Sequence, residues 1–300
     1  MRIAAFTMAY NEPVFLPLWK AHYGQQLGLE NIFCIDHGSD DGSTDNPGIS
    51  VLRIPRGKLD EDERAAFVSR FHASLLVYYD AVIFTDCDEF LVPDPRLYTG
   101  LRDFVERRCD TTNTAVGLNV LHAPDQEAPV DLYKPVFTQR SFVRFHGLYC
   151  KTLVSRVPIA WKPGFHACDF APRVDTGLYL FHLKYMDLSL FRKIQKVRNA
   201  IPLSDSAIEK MHNHHWSLNN SVVEKDYFPA GIPNPEPADN DFSFFDDVKK
   251  CGYYTPRWMW IFDKSYFKPK SVNGPVRRIP ARFAAAIPGL VSVPPKYDAV

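Results

Sequence analysis

"AVIFTDCDEFLVP" fills residues 81–93 and poses the question that decides the fold. A short apolar run stops at Asp86 and Asp88, passes Glu89, and turns apolar again. Two carboxylates at i and i+2 lie on one side of an extended backbone. Where the backbone turns, they can converge on one divalent cation. Mg²⁺ and Mn²⁺ prefer such oxygen ligands and share them with substrate phosphates. The blander role is to solvate a strand end. Which applies depends on the strand that precedes them.

The residues upstream supply that strand. "RIAAFTMAY" (2–10) reads as a buried strand and "PVFLPLWKAHYGQQLG" (13–28) as a helix, with Pro13 at its start and Gly28 at its end. "NIFCID" (31–36) and "ISVLRIP" (49–55) are two more strands. Residues 60–80 open with acids and carry apolar residues at 67, 71, 75 and 78, a helical stripe. Strand and helix alternate over the first 90 residues. That pattern predicts an α/β fold with a mostly parallel sheet flanked by helices. Ligands of such sheets bind at the carboxyl ends of the strands. Asn11 and Glu12, Asp36, and the Asp86–Asp88 pair all fall at such ends.

Beyond this region, a helix is expected near 98–109, strands at 114–123, 153–161 and 177–185, and a helix at 187–200. Composition then changes. Residues 224–247 hold seven acids, one lysine and four prolines, the signature of a loop or arm. Residues 257–283 hold seven basic residues and one acid among aromatics. They could touch a membrane surface, or pack their rings on the domain with the charges outside. We therefore divide the chain into an α/β domain over 1–200 and a helical or irregular C-terminal extension over 201–300.

Lys+Arg and Asp+Glu each number 35, so the formal charge is zero, which argues against a nucleic-acid binder. The six cysteines show no C-x-x-C or zinc-type spacing. The N-terminus meets Asn11 and Glu12 too soon for a signal peptide, and no apolar run approaches the ~20 residues of a membrane span. The expectation is a cytoplasmic protein with reduced thiols, whose basic, aromatic stretch leaves room for a peripheral contact on the inner membrane face.

Three segments in order, "TMAYNE" (7–12), "DHGSDDGS" (36–43) and "DCDEF" (86–90), resemble the family 2 type of glycosyltransferase with the GT-A fold. The D-x-D-E-F form looks more like the family 92 and related bacterial branch. The resemblance covers roughly residues 1–200. His37 departs from it, standing where the family usually has a second Asp. The resemblance implies metal-dependent transfer of a sugar from a nucleotide-sugar donor, a UDP-sugar favoured, to a hydroxyl of a glycan or glycolipid, with inversion. It implies that Ala9, Asn11 and Glu12 line the nucleoside pocket and that Asp36 accepts a hydrogen bond from the base. It implies that Asp86 faces ribose or metal and that Asp88 binds Mn²⁺ or Mg²⁺. A late histidine, His182 or else His166, would complete the metal site.

Physical chemistry adds further candidates. A leaving nucleoside diphosphate carries developing negative charge, which Lys151 and Arg56 could offset. An inverting transfer needs a general base. Asp169 is preferred, with His166 three residues before it and Glu89 and Asp175 behind. The cluster "MHNHHW" (211–216) reads as a polar loop rather than a zinc site. Two other functions share parts of this pattern: a phosphatase with an aspartate nucleophile, and a non-catalytic nucleotide- or sugar-binding protein. Glu89 and Phe90 stand where the phosphatase would have Gly and Thr.

Overall fold

The computed structural model describes residues 1–45, 47–210, 220–232, 242–254 and 266–290. The first half builds the expected parallel core. Strands β1 (Ile3–Ala9), β2 (Ile32–Asp36), β3 (Ser50–Arg53) and β4 (Ala81–Phe84) lie in the order β4-β1-β2-β3, all parallel. β1 and β4 are buried along their whole length, as strands covered on both faces must be. Helix α1 (Phe15–Leu27) connects β1 to β2 and stops at Gly28, whose φ of 92° favours glycine. Helix α2 (Glu61–Leu75) connects β3 to β4. Asp60 caps it, its carboxylate accepting from the backbone N–H of Asp62 (2.9 Å) and Glu63 (3.2 Å).

The path from β1 runs outward to β3 and then returns past β1 to β4. Right-handed crossovers therefore set α1 and α2 on opposite faces. They also leave a crevice between the carboxyl ends of β1 and β4, where the strand order reverses. Asn11, Glu12, Asp86 and Asp88 stand at that crevice.

The remaining strands extend the sheet, largely antiparallel. They are β5 (Glu89–Pro93), β6 (Thr112–Leu121), β7 (Phe142–His146), β8 (Thr152–Ser155) and β9 (Val174–His182), with helix α3 (Leu101–Arg108) between β5 and β6. β8 pairs antiparallel with β4 and β6, and β9 pairs with β5 and β6. Strands β5 and β7 escaped the sequence reading. β5 is too close to β4 to look separate, and β7 is short and carries Arg144 and His146 among its apolar residues.

Past helix α4 (Leu188–Asn199) the described residues form three short helices, α5 (Asp205–Glu209), α6 (Asn220–Tyr227) and α7 (Phe245–Cys251). They then form a two-strand pair, β10 (Tyr253–Tyr254) with β11 (Lys268–Pro269), and strand β12 (Asn273–Arg278). β12 returns to the main sheet beside β7, and Phe283 and Ile287 join the main core. The described part of the expected extension thus shares a core with the expected α/β domain. Tyr266 and Phe283 are buried, while Arg277 and Arg278 lie over the rings of Phe244 and Phe142. Residues 257–265 and the "MHNHHW" cluster at 211–216 lie outside the described residues. Among the described residues no helix is long and apolar enough to cross a membrane. All six cysteines are free thiols and buried.

Candidate functional site

The Asp86–Asp88 turn is held from below by α1. Trp19 Nε1 donates to Thr85 Oγ1 at 2.8 Å, and the Tyr23 hydroxyl bonds the backbone of Glu89 and Leu91. Between the two acids, Cys87 points down, with its sulfur 3.2 Å from Thr7 Oγ1. Asp86 and Asp88 therefore point up into a cleft. That cleft holds about 1400 Å³ of unfilled space including its open mouth.

The two carboxylates meet different partners. Asp86 is bound by Arg64 Nη2 at 2.6 Å and by Lys151 Nζ at 3.3 Å. Burial would raise its pKa, but Arg64 and Lys151 outweigh it and hold the carboxyl below its ordinary value. Asp88 is almost fully buried; its Oδ2 lies 2.9 Å from Arg198 Nη2 and 3.6 Å from His182 Nε2. Burial opposes ionisation here too, yet His182 and Arg198 hold Asp88 well below the usual carboxylate range. Burial drives His182 towards its neutral form, so Arg198 carries the lasting charge.

His182 is set for a ligand. It ends β9, in register with Glu89 on one side and Asn119 on the other. Its Nδ1 lies 2.7 Å from Asn119 Oδ1, which accepts the ring N–H and turns Nε2 towards Asp88. Metal-binding histidines are oriented in this way by a partner on the far nitrogen. The Tyr149 ring stacks on the imidazole, with centroids 4.2 Å apart. Asp88 and His182 thus fit one oxygen and one nitrogen ligand of a divalent cation, a set that Mg²⁺ or Mn²⁺ completes with water and phosphate oxygens. Asp86 is turned to Arg64 and Lys151 instead. Among the described residues no group of three or more His, Cys, Asp or Glu forms a metal cluster by itself.

Glu12 reaches the same point from the end of β1, with Oε1 3.6 Å from Arg198 Nη2. Burial raises its pKa to about 7 against the pull of Arg198. Glu89 is buried beneath the turn and accepts from Lys151 Nζ at 2.6 Å. Burial lifts it to about 7 as well. Lys184 also lines the cleft, and burial, followed by repulsion from Arg198, lowers it to about 7.

The turn after β2 corrects one expectation. Asp36 is only 1% exposed and does not line the cleft. Its oxygens accept from the backbone N–H of Ser39 (2.7 Å), from Thr44 Oγ1 (3.0 Å) and from Arg53 Nη1 (3.0 Å). Three bonds from its own loop and the next strand leave Asp36 no open face for a base. Asn11 is likewise occupied. At φ 52° it pairs with Asp40 through both its amide oxygen and its amide nitrogen. The groups that face the cleft here are Ala9, Tyr10, Asn11, His37 and Arg56. Arg56 lies 3.7 Å over the Tyr10 ring and donates from Nη1 to His37 Nδ1 at 3.1 Å.

The two expected catalytic residues separate. His166 lines the cleft, and its Nδ1 donates to the Leu148 carbonyl at 2.7 Å. Burial lowers it well below its ordinary value. The turn that presents it includes Phe165 at φ 57°, and the Phe165 ring sits 4.7 Å beneath Arg64. Asp169 is outside the cleft. Its Oδ1 accepts from Ala160 N–H at 2.8 Å and ties down the 160–169 loop.

Arg64, Asn119, Tyr149 and Arg198 escaped sequence reading altogether. Arg198 is separated from Asp88 by 110 residues, and nothing in a charged helix end announces that partner.

No protein-family model matches the chain, and no curated protein matches it. Among the solved structures that resemble it loosely are the following three. A mannosyltransferase from Pyrobaculum calidifontis in complex with GDP-Man and Mn²⁺ is 15% identical at a TM-score of 0.27, covering 42% of this chain and 36% of its own. This chain thus spans little more than a third of that enzyme. A CMP:2-keto-3-deoxy-manno-octonic acid synthetase complexed with CTP is 12% identical at 0.29, covering 74% and 87%. A mannose-1-phosphate geranyltransferase from Thermus thermophilus is 13% identical at 0.29, covering 68% and 69%. Likenesses this loose carry no residue role to this chain.

Proposed function

We propose that this chain is a glycosyltransferase that moves a sugar from a nucleotide-sugar donor to a hydroxyl of a glycan or glycolipid. The observation that carries the reading is the meeting of Asp88, His182 and Glu12 with Arg64, Lys151 and Arg198 in one cleft, where the strand order reverses. Carboxylates with a neutral imidazole suit a metal, and fixed cations suit the phosphates beside it. Mn²⁺ or Mg²⁺ at Asp88 and His182 would supply Lewis-acid stabilisation of the leaving diphosphate.

The chain's own groups do the rest. Arg64 and Lys151 stand as preorganised positive charges beside the leaving oxygens. Tyr10, His37 and Arg56 form the wall for the nucleoside. UDP remains the first donor to test, on motif resemblance, although Asp36 no longer supplies a reason for uracil. His166 serves as base in an inverting transfer, because its Nδ1–H is fixed on Leu148 and Nε2 is left to accept the acceptor's proton. A glycolipid acceptor would bring residues 257–283 near a membrane surface.

The test is calorimetric titration of UDP, GDP and CDP, each with and without Mn²⁺, followed by a search for sugar transfer with the corresponding donors. Mn²⁺-dependent binding of one nucleotide is the expected result. Binding of none, by a folded protein, would remove this reading.

A further inference from the structure

Arg198 occupies a place that a metal-dependent transferase should keep for its metal. Its Nη2 is 2.9 Å from Asp88 Oδ2 and 3.6 Å from Glu12 Oε1. The same Asp88 oxygen faces His182 Nε2 at 3.6 Å. Two carboxylates thus flank a single guanidinium nitrogen, and the imidazole faces the same Asp88 oxygen. A divalent cation bound to Asp88 and His182 would share that oxygen with a second positive charge. Two cations cannot both lie at contact distance from one carboxylate oxygen without strong repulsion. Metal binding therefore requires Arg198 to leave.

Arg198 is built to leave. It projects from the last turn of α4, next to the C-cap Ala200, rather than from the sheet. Its side chain is 18% exposed, against 2% for Lys151, whose two carboxylate contacts lie on the cleft floor. The wall it would move along already carries Lys184 and Lys193. Among the described residues Lys184 makes no carboxylate ion pair, and its ammonium is 5.5 Å from the Tyr185 ring. This wall suits an anion with several oxygens, and guanidinium binds a phosphate through two parallel hydrogen bonds.

We infer that Arg198 is a displaceable counter-ion. It holds the place of the divalent cation at Asp88, and yields that carboxylate when the donor's diphosphate draws it away. This deepens the donor reading above and rests on it. The consequence is thermodynamic. Metal alone binds weakly because it must evict Arg198. Metal and diphosphate bind cooperatively because each relieves the other's cost. Arg198 is a positioning residue in this account: it sets the order and coupling of binding.

The experiment uses the full chain and two probes, Mn²⁺ followed by electron paramagnetic resonance of the free ion, and inorganic pyrophosphate. Wild type, Arg198→Gln, Arg198→Lys and Asp88→Asn are compared, each first shown to be folded by thermal denaturation. Arg198→Gln should bind Mn²⁺ alone more tightly than wild type, roughly tenfold, and Arg198→Lys should lie near wild type. Pyrophosphate should tighten Mn²⁺ binding by about 5–150-fold in wild type, the usual range of coupling between sites, and far less in Arg198→Gln. Lys196→Gln controls for charge, since it removes one positive charge from the same helix outside the cleft. It should change Mn²⁺ affinity little.

A residue that merely held the fold would give the opposite sign, with weaker metal binding in Arg198→Gln. If Asp88→Asn loses Mn²⁺ while Arg198→Gln fails to tighten it, the role of Arg198 falls and the donor reading stands. Equal tightening in Lys196→Gln also overturns it, because general charge would then explain the effect. If no variant binds Mn²⁺, with or without pyrophosphate, both fall together.

Discussion

Two turns of this molecule carry the same signature and do opposite work. Each follows a buried parallel strand, and each opens with an aspartate. After β2, Asp36 closes on its own loop through Ser39 and Thr44 and on the neighbouring strand through Arg53. After β4, Asp86 and Asp88 bind cations 22, 65 and 110 residues away in sequence. The first turn is satisfied before any ligand arrives. The second is a set of charges drawn together from α2, the segment before β8, and α4, and left open to a cleft. An acid at a strand end is therefore not a site until its partners are known. Local partners mark a structural pin, and distant cations around an opening mark a binding centre.

The largest expected effects test the second turn. Asp88→Asn removes the proposed metal ligand and the anion that fixes Arg198. Sugar transfer should fall by about 10³-fold, the scale on which single electrostatic groups act in catalysis. Far-ultraviolet circular dichroism should be unchanged. Activity near wild type in the folded variant would place the centre elsewhere. Lys151→Met comes next, read in stability. It leaves Glu89 and part of Asp86 as buried carboxylates without their cation, and removing one partner of a buried pair costs about 3–5 kcal/mol. Urea denaturation should show that loss. The double variant Lys151→Met with Glu89→Gln should recover much of it. No recovery would mean that the Lys151–Glu89 pair is not the reason for the loss.

Much of this contrast was invisible in the sequence, for a physical reason. Alternating strands and helices gave the α/β sheet and the crevice, because burial on both faces writes itself into continuous apolar runs. Position at a strand end brought Glu12, Asp86 and Asp88 to the cleft, and an interrupted apolar strand pointed to His182. Lys151 and His166 also reached the cleft. Asp169 did not, and neither did Asp36. A residue's hydrogen-bond partners depend on loop closure, and Ser39 and Thr44 look alike whether they bind a ligand or the acid before them. Arg64 and Arg198 were missed because a cation's value here comes from the carboxylate it meets, and those meetings are set by tertiary packing.

The first turn supplies a smaller test. Asp36→Asn keeps the shape but weakens acceptors for one charged and two neutral donors. A hydrogen bond to a charged group is worth about 1.5–3 kcal/mol, and a loss of that size should appear in urea denaturation. Nucleotide affinity, measured where the variant is fully folded, should not change. Reduced affinity at full folding would restore Asp36 as a base contact and dissolve the contrast drawn between the turns.

The smallest expected effect concerns His37, beside Asp36 in the same turn. Burial, then the nearby charges of Arg56 and Arg64, lower its pKa to about 4. Its Nδ1 accepts from Arg56, which a neutral imidazole can do and an imidazolium cannot. The folded value lies below the ordinary 6.5, so the folded state prefers the neutral ring. The stability this gives is present in full above about pH 6.5 and is lost as pH falls through about 4. His37 is only partly buried and solvent screens its charge, so the loss should be about 1 kcal/mol. Urea midpoints taken from about pH 7 to about pH 4 should fall more in wild type than in His37→Asn, whose amide oxygen can accept from Arg56 at every pH. Parallel pH profiles for the two proteins would show that acid acts elsewhere. A steeper fall in wild type would place an acid-sensitive contact in the turn that is otherwise closed on itself, one residue from the aspartate that closes it.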